Sequence, residues 1–258
     1  MADLTAAVAA IAHEAGRYAL ERWRTDFRRW EKGPGNPVSE VDLAVDALLR
    51  ERLCALLPDA GWLSEETADD PARLACERVW VVDPIVGPRV YIRGRSGWCV
   101  SVALVERGAP VIAVLDAPAR AECWVAEAGG GATRNGVPLR ASSRTELAGA
   151  RMPIDTMPKA DRDLVAVAKP NSIALRIAMV AADEADLIAT HRWGNEWDIA
   201  AAALIAQEAG AIVTDALGAP LAFNKPEPRA FGVLVAGQAL HGSALNQWKQ
   251  RAGQASGR

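Results

Sequence analysis

Residues 79–82 read VWVV and are followed at once by Asp83 and Pro84. A run of β-branched and aromatic residues with no polar position among them predicts a strand buried on both faces. A charge then stands at the end of that strand, and Pro84 pushes the Asp83 backbone towards an extended conformation. A carboxylate so placed needs a partner or an ion, because an unpaired charge in a core is expensive. The material for a core is present: 258 residues, 50% of them hydrophobic, suffice for one large unit or two closely packed halves.

Leu4, Val8, Ile11, Ala15 and Tyr18 recur at helical spacing and predict a first helix running towards Trp23. The KGPGNPV segment at 32–38 carries two glycines and two prolines and is expected as a loop. A second helix follows, with Ser39 and Asp42 fitting a capping box and Val41, Val45, Leu48, Leu49 and Leu53 forming its apolar stripe. After a short strand at 62–64, β-rich runs at 98–105, 111–115 and 122–126, with a loop at 129–131 and an Asn135-Gly136 turn, predict an antiparallel meander. Short strands then alternate with helices around 172–182 and 197–209, and strands follow at 211–214 and 231–236. The expected organisation is an N-terminal α+β half over 1–145 holding most of the acidic site residues, an α/β half over 146–258 contributing Asp198, and a disordered tail at 253–258.

Charge narrows the function. Lys and Arg number 29 against 32 acids, so there is no basic surplus for nucleic acid. No apolar run approaches the roughly 20 residues of a membrane helix, and the first residues carry acids where a signal peptide would be basic. The expected location is therefore the cytoplasm, with no membrane partner. Cys54, Cys76, Cys99 and Cys123 are far apart in apolar surroundings, and buried free thiols are expected. His13, His191 and His241 are scattered, so any chemistry falls to carboxylates.

Asp42, Glu65, Glu66, Asp83 and Asp198 each stand where a strand ends or a helix begins. Magnesium takes oxygen ligands in octahedral geometry, one or two of them carboxylates, and these residues could supply them. All but Asp83 also have a plainer account. Asp42 suits a capping box, Asp198 is a first-turn acid after an Asn195 cap, and Glu65-Glu66 fit a solvated pair.

Taken together, SEE at 64–66, WVVDPIVGPRVYIRG at 80–94 and EWDIAAAALIAQEAGA at 196–211 resemble the signatures of the inositol monophosphatase superfamily. That family carries Asp-Pro-Ile-Asp-Gly-Thr after a strand, and Trp-Asp ahead of a small-residue helix. The resemblance runs from the first helix to VLVAG at 233–237 and implies an α+β fold, a layered αβαβα sandwich of the inositol monophosphatase and sugar phosphatase type. Its antiparallel sheet would lie in the first half and a mixed sheet in the second. It implies a phosphoric monoester hydrolase using Mg2+ on a small phosphorylated metabolite, and a homodimer is compatible with it. The PVSEVDLAVD, LSEET and LAFNKPEP runs look most like bacterial 3′(2′),5′-bisphosphate nucleotidases.

The resemblance implies that Glu66, Asp83 and the Ile85 carbonyl hold a first magnesium and that Asp83 and Asp198 belong to a second, with Asp198 also near substrate. Asp42 and Glu66 would be catalytic, Asp42 by orienting the attacking water. Gly87 and Pro88 fall where a helix start cradles phosphate. The pattern departs at two places: Val86 stands for aspartate and Pro88 for threonine. Val86 offers no oxygen to the second ion, and Pro88 lacks both a hydroxyl and an N–H. Weakened phosphatase activity is expected, the alternative being an impaired homologue that binds a phosphorylated ligand or regulates.

Overall fold

The structure, a computed structural model, describes residues 1–256, with side chains through Lys249. Helix α1 (Ala2–Arg22) buries Val8, Ala12, Ala15 and Ala19. A hairpin of β1 (Arg29–Gly33) and β2 (Asn36–Ser39) then leads into α2 (Glu40–Leu56). The hairpin replaces the loop expected at 32–38. Gly35 takes a left-handed φ of +69° beside the turn, and Pro37 is tolerated on a two-stranded ribbon. The expected capping box is formed at Ser39 and Asp42, a device that stabilises a helix start by ~1 kcal/mol.

A seven-stranded sheet follows in chain order: β3 (Gly61–Ser64), β4 (Arg78–Val86), β5 (Cys99–Glu106), β6 (Ala109–Ala117), β7 (Glu122–Glu127), β8 (Gly131–Arg134) and β9 (Val137–Pro138). The short helix α3 (Pro88–Ile92) sits between β4 and β5. Asn135 and Gly136, both at positive φ, make the tight turn from β8 to β9. The VWVV run is buried on both sides: Trp80 and Val82 pack with Val41, Val45 and Leu49 of α2, and Val79 and Val81 face the opposite core.

The second half opens with a parallel pair, β10 (Arg151–Pro153) and β11 (Val165–Val167). Helix α4 (Ile173–Ala181), β12 (Leu187–Asn195), α5 (Glu196–Glu208), β13 (Ala211–Thr214), β14 (Arg229–Gly237) and α6 (Gln238–Ser256) complete the chain. Strands β12, β14 and β13 form an antiparallel sheet in that order. Helix α5 is buried almost all round, and its Ala200 to Ala203 let it lie close between the two sheets. The layers run α1/α2, large sheet, α4/α5, small sheet, α6: the αβαβα sandwich expected.

Some details differ from the expectation. The first sheet contains a parallel pair, β3–β4, and the second is antiparallel with its parallel ribbon separate. All four cysteines are free, but only Cys99 is buried; Cys54, Cys76 and Cys123 are half-buried. Residues 253–256 lie in α6 rather than a disordered tail, and residues 257 and 258 lie outside the described residues. Among the described residues no helix is long and apolar enough to cross a membrane.

Candidate active site

Two bulges, one in each sheet, shape the site. In β4 the register against β5 slips between Asp83, opposite Ser101, and Val86, opposite Cys99. Pro84 has no N–H for the ladder and so belongs at such a bulge, which frees Asp83 from the regular pleat. In β12 the register against β14 slips between Thr190, opposite Val233, and Trp193, opposite Phe231. Gly232 faces this bulge at φ +67°, and a Cβ there would lie 2.1 Å from the Thr190 carbonyl oxygen, so only glycine fits. Bulges re-aim side chains, and Asp83, Arg192 and Trp193 all line one cavity of about 380 Å³.

Glu65, Asp83, Asp198 and Val86 border that cavity beside the Gly87-Pro88 loop. Asp83 is 1% exposed; its Oδ1 accepts from the Ile85 N–H at 3.0 Å, and its Oδ2 has no hydrogen-bond partner. Burial, then the negative charges of Glu65 and Asp198, push its carboxyl well above the usual range. Asp198 accepts from the Asn195 N–H at 3.3 Å and is pushed up by burial against the pull of that amide and of Arg192. The capping reading of Asp198 is thus geometrically true, and the residue still faces the cavity.

Asp42 stands apart from the cavity wall. Its Oδ2 takes both the N–H (2.9 Å) and the hydroxyl (2.5 Å) of Ser39, and burial pushes its carboxyl up to about 6. Glu65 and Glu66 divide similarly: Glu65 lines the cavity, and Glu66, its side chain 5% exposed, is held by Lys32 of β1, whose Nζ lies 2.8 Å from Glu66 and 3.3 Å from Glu65. Burial pulls the Lys32 ammonium down, but these two carboxylates more than offset it. Asp46 fixes the whole turn, accepting from Ser64 and, at 2.6 Å, from Thr67 on either side of the glutamates.

In the same cavity Gly87 adopts φ +103° and precedes Pro88, the first residue of α3. The Val90 and Tyr91 N–H groups bond back to the Gly87 carbonyl at 3.1 and 3.3 Å, and Pro88 has none, so the turn offers fewer amides to an anion than the resemblance implied. Arginines supply positive charge instead. Arg89, Arg176 and Arg192 all line the cavity, and Arg89 also donates to the Gly35 carbonyl in the hairpin.

A profile of the inositol monophosphatase family matches residues 1–251. This chain belongs to the inositol monophosphatase family, a family of phosphoric monoester hydrolases. It is 31% identical over 230 residues to inositol monophosphatase 2 of Solanum lycopersicum, covering 81% of this chain and 87% of that protein. It is 33% identical over 224 residues to the Nus factor SuhB of Xylella fastidiosa, covering 81% and 80%. The solved inositol monophosphatase of Thermotoga maritima superposes with a TM-score of 0.84 at 26% identity, covering 99% of this chain and 100% of that one.

For a divalent ion of the kind this family implies, the fit is partial. Asp83 Oδ2 is a buried hard donor that accepts no hydrogen bond, the state expected of an oxygen that meets a cation. Among the described residues, though, no three His, Cys, Asp or Glu side chains group closely enough to hold an ion, and Val86 turns hydrocarbon to the cavity. The sequence reading missed Arg176, Arg192 and Trp193. Arg176 left one signal, a lone charge inside the apolar run IALRIAMVA of α4. The LAFNKPEP run, read as nucleotidase-like, is a strap: the 0%-exposed Glu196 accepts from the Asn224 N–H (2.6 Å) and the Lys225 N–H (3.3 Å), and Arg73 holds the Asn224 side chain.

Proposed function

We propose that this chain is a cytoplasmic, magnesium-dependent phosphatase of small phosphate monoesters, weakened by Val86 and Pro88, that prefers adenosine 3′,5′-bisphosphate to inositol 1-phosphate. The observation carrying this reading is Asp83 Oδ2, buried without a donor in a cavity that Glu65, Asp198, the Gly87 loop and three arginines also line. Asp83, the Ile85 carbonyl and a glutamate of the Glu65-Glu66 pair would hold the first ion, and Asp198 is what remains of a second. Glu65, which borders the cavity, suits that place better than Glu66. When bound, magnesium lowers the pKa of a coordinated water and offsets charge on the leaving oxygen. The chain's own residues do the rest. The cavity arginines offset the phosphate's charge, Gly87 lets the backbone approach it, and Asp42 and Ser39 fix the start of α2.

A second reading, a phosphate-ligand binding protein with little turnover, is favoured by the hydrocarbon at Val86 and by the Lys32 ammonium at the glutamate pair. One experiment separates them: phosphate release from small monoesters by the chain and by Val86→Asp/Pro88→Thr. A gain of at least tenfold in the double variant is expected, which needs only about 1.4 kcal/mol of transition-state stabilisation. A double variant that binds a second magnesium yet releases no phosphate leaves the binding reading in place.

A further inference from the structure

Glu65 and Asp198 line one cavity from different halves of the chain, Glu65 in the turn after β3 and Asp198 in the first turn of α5. Their charges and that of Asp83 act on one another, and like charges repel. A spacing that repulsion opposes has to be held from outside the cavity. Lys32 restrains Glu65 and Glu66 but belongs to the same half as they do. A tie between the two halves runs instead through Arg73.

Arg73 stands in a single helical turn at Pro71–Ala75, and its side chain is 1% exposed. Its Nε and Nη2 form a fork on the two oxygens of Asp69, at 2.5 and 2.8 Å. On the other side Nη1 donates to the Asn224 side chain at 2.6 Å and Nη2 to the Lys225 carbonyl at 3.0 Å, and the Asn224 amide donates back to the Arg73 carbonyl at 3.3 Å. Asn224 takes a left-handed φ of +60°, which asparagine tolerates, and the N–H groups of Asn224 and Lys225 both donate to Glu196. Glu196 opens α5 two residues before Asp198, and Asp69 follows Glu65 by four. One guanidinium thus joins the glutamate turn to the start of α5. Charge-assisted forks are short and directional, and the point charge of a lysine cannot serve both sides at once.

We propose that Arg73 is a positioning residue for the candidate site: by bridging Asp69 to Asn224, and so to Glu196, it sets the separation of Glu65 and Asp198 that a divalent ion meets. The proposal rests on the phosphatase reading for the identity of the ion. Arg73 touches neither ion nor substrate in this role, so its effect is read in metal binding before any turnover. Arg151 and Asp186 supply the control, a bonded pair of the same kind that lies wholly in the second half.

The test is calorimetric titration with magnesium alone, without substrate, each variant being held well below its own thermal midpoint. Arg73→Met cuts the whole bridge. Asn224→Gly is the milder cut, since glycine keeps the left-handed backbone and its N–H for Glu196 and removes only the side-chain link, so it serves even where Arg73→Met does not fold. Each should weaken magnesium binding by about tenfold or more, which is ~1.4 kcal/mol. Arg73→Lys should recover part of what Arg73→Met loses, and Arg151→Met should lower the thermal midpoint with the magnesium affinity unchanged. Magnesium bound by Asn224→Gly as tightly as by the unaltered chain, or weakened equally by Arg151→Met, would overturn the bridge and leave the phosphatase reading in place. No magnesium bound by the unaltered chain would overturn the phosphatase reading and the proposal together.

Discussion

Asp83 and Asp186 are both 1% exposed, and the fold treats them in opposite ways. Asp186, just before β12, accepts from the Ser142 hydroxyl (2.5 Å), from the Arg151 N–H (2.7 Å) and from two nitrogens of the Arg151 guanidinium (3.0 and 2.8 Å). Despite burial, these donors hold its carboxyl down at about 2. Asp83, in the bulge of β4, has one amide donor, one bare oxygen and acidic neighbours that drive its carboxyl up. Asp186 is saturated by donors of the fold, whereas Asp83 keeps a buried oxygen without a donor among like charges.

The contrast can be broken at three points. The largest effect belongs to Asp186→Ala, which strips donors from their acceptor beside a half-exposed Arg151. Urea unfolding should show a loss of about 4 kcal/mol, as for breaking other buried pairs. A loss under 1 kcal/mol would mean that the saturation is ornamental.

The second effect is in pH. A folded carboxyl whose pKa lies above its unfolded value makes stability highest below the unfolded pKa, and that advantage is lost as pH rises through the folded value. For Asp42 the window runs from 3.8 to about 6. In chelator the chain should therefore lose up to about 3 kcal/mol across it, at ~1.4 kcal/mol per pKa unit. Glu65, Glu66, Asp83 and Asp198 are all raised and push the same way. Asp186, lowered to about 2, has the opposite slope, gaining stability as pH rises towards 3.8, so denaturation midpoints in chelator should peak near pH 4. Asp42→Asn should flatten the decline between pH 4 and 6, and a decline that survives it unchanged refutes the assignment.

The smallest effect is Asp83→Asn in chelator. Removing an uncompensated buried charge should raise stability by about 1 kcal/mol, the gain being limited by the amide N–H groups it leaves to satisfy. A loss would show that Asp83 has a partner after all.

How much of this the residues announce depends on whether the signal is local. The buried strand with a charge at its end, the capping box at Ser39 and Asp42 and the Trp197-Asp198 entry to α5 are each written within six residues, and their elements stand where expected. The β1–β2 hairpin was hidden because two prolines and two glycines read as a breaker, although a ribbon needs few ladder bonds and accepts them at its turn and edge. That Glu65 borders the cavity while Lys32 holds both glutamates was not legible either. Lys32 stands 33 and 34 residues earlier in the chain and reaches across from the hairpin. The arginine wall is longer-ranged still, since Arg89, Arg176 and Arg192 meet only through the packing of α4 and the bulge in β12.

If the open carboxylate of Asp83 is the catalytic centre, phosphate release depends on magnesium and on Asp83. Measured on a panel including adenosine 3′,5′-bisphosphate and inositol 1-phosphate, release should require millimolar magnesium, stop in chelator, and fall at least a hundredfold in Asp83→Asn, about 2.7 kcal/mol of lost transition-state stabilisation. Release that persists in chelator or in Asp83→Asn, or no release from any monoester by the unaltered chain, would contradict it.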